Sequence, residues 1–258
     1  MAEESLQGIK PSAVVPFAFG KGRFTEIFKA WAKRKLFAPN AFKKGAKEDN
    51  VRGVYLPYFT FDSRTESVYE GRVGYVRTRV IRTKNGTRTQ TYTEWRHIHD
   101  TISRDFDDVT VNAGGDHGGY ANKVLPFDWS GIRVFETEYL SGFIAHRYER
   151  GIRDCWEQAK ADISDELKRE IARRHHADVV GYINVNTRHS GVTYKYVLLP
   201  VYVLNYSYKG KKYVIYANGS TGRMEGKAPV SGLKVAIAAV LGAIAAIGLT
   251  ALVYMLMG

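Results

Sequence analysis

The sequence predicts an α+β protein: antiparallel β-hairpins with packed helices, a divergent internal duplication and one C-terminal transmembrane helix. Three observations predict it. Val235 to Met257 is a charge-free run of about 23 residues, ~34 Å of α-helix at ~1.5 Å per residue, enough to cross a bilayer core. Asn85-Gly86 stands between two alternating runs, the pattern of a two-residue hairpin turn. Two further stretches place apolar residues at spacings of three and four, the period of a half-buried helix.

Taken in order, residues 1–12 are polar and read as a flexible lead-in. A first α+β unit over 13–123 opens with Val14-Val15-Pro16-Phe17 and continues into a helix striped by Phe24, Phe28, Trp31 and Lys35 or Leu36, with Lys29, Lys33 and Arg34 elsewhere. Pro39 and the polar run Lys43 to Asn50 end it. Val54 to Phe61 follows as an aromatic, buried strand in which Pro57 marks an edge or a bulge. The hairpin arms, Val73 to Thr83 and Thr87 to His97, carry Arg72, Arg77, Arg79, Arg82, Lys84, Arg88 and Arg96 against Glu94, which makes a basic ribbon.

A second unit over 124–231 repeats this order. Val124-Leu125-Pro126-Phe127 matches Val14 to Phe17, and Val197-Leu198-Leu199-Pro200-Val201-Tyr202 matches Val54 to Phe59, as a duplicated turn-helix-strand unit would. Between the two motifs a long helical region is expected from Ile132 to His176, with Gly142 and Gly151 bending or splitting it. A second hairpin turns near Lys209-Gly210, and Asn218-Gly219-Ser220-Thr221-Gly222 closes its return arm. Residues 232–258 form the anchor. With only Gly258 after the span, the expectation is a tail anchor inserted after synthesis. Arg223, Lys227 and Lys234 precede the span, which places the body in the cytoplasm by the positive-inside bias. Ala238, Gly242 and Ala246 recur every fourth residue, a small-residue stripe on which a second helix packs and through which a homo-oligomer forms.

The chain has 38 Lys and Arg against 26 Asp and Glu, a net charge of +12 to which Val235 to Met257 contributes nothing. Such a body attracts polyanions, and anionic lipid comes first for a tethered protein because the tether raises its effective concentration. The single cysteine, Cys155, allows no internal disulfide and no cysteine-based zinc site. No nucleophile elbow, phosphate-binding loop, dinucleotide glycine pattern or His-Glu-x-x-His motif occurs, and no cofactor is implied. One polar cluster remains: His97 and His99, on one face of a strand, with His117 or a carboxylate to complete a metal site. His175-His176 read as helix-terminal residues facing the helix dipole.

The ordered set Val15-Pro16-Phe17, Leu56-Pro57-Tyr58-Phe59-Thr60-Phe61-Asp62, Phe106-Asp107-Asp108-Val109, Leu125-Pro126-Phe127-Asp128, Tyr139 to Phe143, Leu199-Pro200-Val201 and Asn218 to Gly222, ending in a hydrophobic tail, resembles the body of bacterial membrane-anchored zinc-ribbon-containing proteins. Labels in that family borrow from transcription factor IIB or from the primosomal helicase. The name-giving ribbon has two Cys-x-x-Cys pairs, which are missing here, so no zinc ligand carries over. The resemblance implies an architecture and no settled activity. The function expected is a non-catalytic, membrane-tethered cytoplasmic scaffold or adaptor whose basic body faces anionic lipid and a protein partner. The alternative is a membrane-associated nucleic-acid-binding protein that uses the same hairpin, and the third is a metal-dependent enzyme at His97, His99 and His117.

Overall fold

The computed structural model describes residues 9–45, 48–83, 86–115 and 124–257. It is a mixed α/β structure with a large β-sheet and four α-helices among the described residues. The strands are β1 (Ala13–Val14), β2 (Val51–Thr83), β3 (Gly86–Asn112), β4 (Arg133–Val134), β5 (Ile144–Ala145), β6 (Val179–Tyr208), β7 (Lys211–Asn218) and β8 (Met224–Gly226). The helices are α1 (Lys21–Lys33), α2 (Asn40–Lys43), α3 (Ile152–Arg174) and α4 (Gly232–Met257). Strand order is β3-β2-β6-β1-β4, with β5 pairing β2, β7 pairing β6 and β8 pairing β7. Two compact units are present, and each draws on several separate stretches of chain.

The first unit comprises Met1–Ser12, Tyr58–Gly115 and Tyr148–Val197. Here β2 and β3 pair antiparallel from Tyr58↔Asn112 to Thr83↔Gly86, far beyond the arms read from the turn, with one irregularity between Phe61 and Ser63. Alternation selects the buried face. Tyr69 and Val73 of β2, with Ile102 and Phe106 of β3, pack against Ile163, Leu167 and Ile171, which recur every fourth residue along α3. Arg104 bridges Glu166 at 3.1 Å and also pairs with Glu170, two α3 residues one turn apart. Along β6 the strands approach closely: a Cβ on Gly71 would stand 2.6 Å from the Tyr182 carbonyl oxygen, and one on Gly181 would stand 2.9 Å from that of Arg72. Glycine is required at both positions because the obstacle is backbone.

The second unit comprises Ala13–Pro57, Asp116–Arg147 and Leu198–Gly258. Helix α1 buries Phe24, Phe28 and Ala32, and with Phe42 of α2 it packs on Tyr202, Leu204, Ile215, Ala217 and Met224. The α1 stripe is shorter than its sequence period suggests. The helix ends at Lys33, Trp31 is half-buried at its margin, and Leu36 lies beyond it at 75% exposure. The β6–β7 turn takes Lys209 and Gly210 to φ of 49° and 75°, the left-handed pair that a tight hairpin of this twist demands.

The long helix expected from Ile132 to His176 begins only at Ile152. Residues 132–151 instead form β4, a 3-10 turn at Thr137–Leu140, and β5, which pairs in parallel with Val54 and Tyr55. The apolar residues there kept a helical spacing but have separate partners. Phe143 stacks on Phe17 at 4.3 Å after Gly142 turns the chain at φ 79°, and Gly151 then caps α3. Val124 to Phe127 is likewise followed by a 3-10 turn, Trp129–Gly131, and not by a helix. Pro57 falls between the residues that pair with β5 and the start of the β3 register at Tyr58. The strand irregularity sits further on, after Phe61. Helix α4 carries no charge after Lys234, and none of Gly232–Leu249 is buried; with a mean hydropathy of 2.2 over that stretch it is long and apolar enough to cross a membrane.

Candidate functional site

The β2–β3 arm carries the candidate residues, and its register sorts them. Side chains directly opposite in an antiparallel pair share a face, and faces alternate along each strand. One face presents Tyr75, Arg77, Arg79 and Ile81 from β2, opposite Glu94, Tyr92, Gln90 and Arg88 from β3, with Arg96 next in line. The other presents Arg72, Val76, Val80 and Arg82, opposite His97, Thr93, Thr89 and Thr87, together with Trp95. The ribbon is therefore basic on one face and mixed on the other. Arg77, Arg79, Arg88 and Arg96 come together. Arg72 and Arg82 do not join them, and Lys84 lies outside the described residues.

The basic face interleaves cations with rings. Arg79 stands 5.4 Å from the Tyr92 ring centre, and Arg77 and Arg96 stand 5.9 and 5.1 Å from that of Tyr75. Arg79 also donates two hydrogen bonds to the Gln90 side-chain oxygen at 3.0 and 2.9 Å. Glu94 accepts from Arg96 at 2.7 Å and from Arg77 at 3.3 Å, and these bonds hold its carboxyl below the ordinary carboxylate range. On the opposite face Arg72 lies over Trp95 at 4.9 Å. The base of the arm is fastened at the end of α3. Tyr75 donates to the His175 carbonyl at 2.8 Å, Tyr69 hydroxyl meets His175 Nε2 at 2.9 Å, and Val76 N–H donates to Asp178 at 2.8 Å. His175 does cap the helix, as its position in the sequence suggests, and it also holds a buried tyrosine.

His97 and His99 lie on one exposed face of β3, opposite Arg72 and Glu70, and His117 lies outside the described residues. The acidic constellation is elsewhere. Asp62, Asp107 and Asp108 bring carboxylate oxygens within 4.8 Å of one another at the strand irregularity. Lys195 fills the cluster with its own charge, 3.2 Å from Asp108 and 3.7 Å from Asp62. Burial alone would raise the Asp62 carboxyl, but the Asp108 N–H and the Thr193 hydroxyl donate to it and hold it low. Asp107 moves up through its hydrogen bond with Asp62 and the neighbouring negative charges. With Asp108 at φ 51°, this is a lysine-bridged carboxylate clamp on a bulge. Sequence reasoning missed it, because a turn at Asn85-Gly86 sets Asp62 opposite Val109, whereas the observed register pairs Thr83 with Gly86 and brings Asp107 and Asp108 to the irregularity beside Asp62.

On α3, Cys155 is buried, and burial pushes its thiol up, away from reactive thiolate. Ala238, Gly242 and Ala246 face outward on α4, and a Cβ on Gly242 would touch nothing.

Acid sensitivity follows from His189, which is half-buried between Ser63 Oγ at 3.1 Å and the Trp156 ring at 5.1 Å. Desolvation, then the Lys160 charge, depresses its pKa below the ordinary 6.5. A depressed folded-state pKa means that folding favours the neutral ring. The stability it contributes is complete above 6.5 and is lost as pH falls from there through the folded-state value. Unfolding midpoints between pH 7.5 and about 5 are expected to fall for the parent and to fall less for His189→Gln, with the carboxylate clamp failing only at more acid pH.

No protein-family model matches the chain, and no solved structure matches it. It is 30% identical over 242 residues to a Bacillus subtilis (strain 168) protein described as "Uncharacterized protein YdjG", an alignment covering 92% of this chain and 69% of that one. With that identity over that much of both proteins, the chain belongs to the family of Bacillus subtilis YdjG.

Proposed function

We propose that this protein is a non-catalytic, membrane-tethered adaptor, held by α4 with its body in the cytoplasm and presenting the β2–β3 arm to a protein partner. The observation that carries the reading is α4 itself: 26 residues, free of charge from Val235 to Met257, with none of Gly232–Leu249 buried. Water does not tolerate an apolar surface of that size, whereas a bilayer solvates it without cost. The arm adds the second half of the argument. Beyond Tyr75 it is exposed on both faces, and a two-stranded ribbon that buries so little gains stability only by pairing with something else. Its Arg–Tyr face combines rigid aromatic area with charge, the composition enriched at protein interfaces. The net charge of +12 favours anionic lipid beneath the body, and the resemblance of the motif order to that of bacterial zinc-ribbon-containing membrane proteins supports the same placement. Ala238, Gly242 and Ala246 offer a face for a homo-oligomer in the membrane.

A second reading rests on the alternation of Arg79 with Tyr92 and of Arg77 and Arg96 with Tyr75. Cations that meet phosphates and rings that stack on bases are what single-stranded nucleic acid requires. One experiment separates the two. Full-length protein is recovered from its own membranes in mild detergent, beside a variant in which Arg77, Arg79, Arg82, Lys84 and Arg88 become alanine. A defined protein partner, lost or depleted in the variant, is the expected result. Nuclease-sensitive material that vanishes in the variant replaces the adaptor with the nucleic-acid reading, and identical partner-free eluates from both sink the adaptor.

A further inference from the structure

The second unit exposes an apolar pair that its core does not use. After α1 ends at Lys33 the chain passes through Arg34 and Lys35 to Leu36 and Phe37, which are 75% and 44% exposed, and then returns to the interior at Ala38. Hydrogen bonds fix where this turn stands. Ser231 N–H donates to the Phe37 carbonyl at 2.8 Å, and Lys234 Nζ donates to the Ala38 carbonyl at 2.9 Å and to Asn40 Oδ1 at 2.8 Å. Ser231 immediately precedes α4, and Lys234 lies in its first turn. Val230 and Leu233, also well exposed, continue the apolar surface from the turn to the helix. Leu36 and Phe37 are therefore held at the level where α4 begins.

The charge around this pair has one sign. Lys33, Arg34, Lys35, Lys43 and Lys44 flank it along the chain with no acidic residue between Lys33 and Lys44, and Lys227 and Lys234 flank the start of α4 with none between them. Lys35 Nζ rests 4.8 Å from the Trp31 ring centre. An apolar tip inside a cationic collar, with an indole at its base, is the composition that enters the boundary between lipid headgroups and acyl chains. We propose that Leu36 and Phe37 form a second membrane contact, an interfacial wedge in an anionic phospholipid bilayer, with the surrounding lysines and Arg34 on the lipid phosphates. A second copy of the chain is a poor occupant, because a two-fold contact would bring the same cations face to face. A single helix leaves the unit above it free to tilt. Two points of attachment fix it.

This inference rests on α4 spanning the membrane, and the experiment reads the two separately. Full-length protein carries a nitroxide at Phe37→Cys or at Leu241→Cys, with the buried Cys155 left in place, in vesicles of equal phosphatidylcholine and phosphatidylglycerol. Oxygen partitions into lipid and a nickel chelate into water, so their relative accessibility reports depth. Both labels are expected to favour oxygen. A Phe37 label reached by nickel while the Leu241 label favours oxygen overturns the wedge and leaves the anchor standing. Nickel access at both overturns the anchor and the wedge with it. Strong spin–spin broadening at Phe37 that survives dilution in lipid assigns the patch to a second copy and also overturns the wedge. Because that label replaces a wedge residue, a Lys35→Cys label with Leu36 and Phe37 intact repeats the measurement. Adding Leu36→Asp and Phe37→Asp is expected to lower its oxygen-to-nickel ratio several-fold, and an unchanged ratio refutes the proposal.

Discussion

Asn218→Ala is expected to destabilise the protein by about 3–5 kcal/mol, read as a fall in the urea midpoint of the full chain in detergent with no change in slope. Asn218 is fully buried at the end of β7, and its side chain is saturated. The amide nitrogen donates to the Val124 and Pro126 carbonyls, each at 3.0 Å. The amide oxygen accepts from Ser220 N–H at 2.8 Å, Ser220 hydroxyl at 2.7 Å and Thr221 N–H at 2.9 Å. Ser220 Oγ accepts in turn from Asp128 N–H at 3.0 Å, so the network continues into the segment after Pro126. Alanine removes all five bonds and leaves donors and carbonyls without partners, each costing about 1–3 kcal/mol less whatever entering water recovers. Two companions test the mechanism. Asn218→Asp keeps the shape but sets a carboxylate against two carbonyls, and it is expected to be about as damaging. Ser220→Ala breaks a smaller part of the network and is expected to cost about 1 kcal/mol. Equal, small effects for all three would mean that the loop holds without the amide.

That network also marks where sequence reading succeeds and where it stops. Asn218 to Gly222 reads as a turn from its residues alone, but nothing local says that its amide reaches back to Val124 and Pro126. Local signals served well where one element supplied its own evidence. Phe24 and Phe28 fall on the buried face of α1, and α4 contains the charge-free run, whereas Gly86, read as a turn residue, pairs with Thr83 as the first residue of β3. Failures came where long-range partners decided. Tyr139 and Phe143 matched a helical period continuing to Ile171, yet Phe143 belongs to the Phe17 and Tyr55 rings and only the residues after Gly151 belong to α3. Gly71 and Gly181 look like strand breakers until β2 and β6 lie side by side, when they become the positions that admit the approach. The arginines were visible as a basic ribbon, and applying the two-residue period would have separated Arg72 and Arg82 from Arg77 and Arg79 without a structure. The Asp62 cluster needed the observed register, in which Gly86 pairs with Thr83, and its Lys195 partner needed the third strand.

Arginine at both Leu241 and Ile244 is expected to move the protein from the membrane pellet to the soluble or aggregated fraction. Both side chains are more than half exposed near the middle of an apolar helix, with no neighbour in the described residues that could pair a cation. Mid-span, each change from a branched apolar residue to arginine raises the insertion free energy by about 3 kcal/mol, so the pair adds about 6, some four orders of magnitude in partitioning. Snorkelling offers little relief, because both positions lie several turns from either end of the helix. Alkaline carbonate washing of membranes makes the distinction, since it strips proteins held by charge and leaves spanning helices in place. A double-arginine variant that still resists the wash would refute the anchor, and retention that high salt abolished would shift the attachment to the basic body. Lys234→Ala is the informative contrast. It keeps the apolar span but removes the bonds to Ala38 and Asn40, so carbonate resistance is expected to survive while the turn at Leu36 loosens from the first turn of α4. Anchoring and the orientation of the second unit thus depend on different residues of the same helix, and the second can be lost while the first survives.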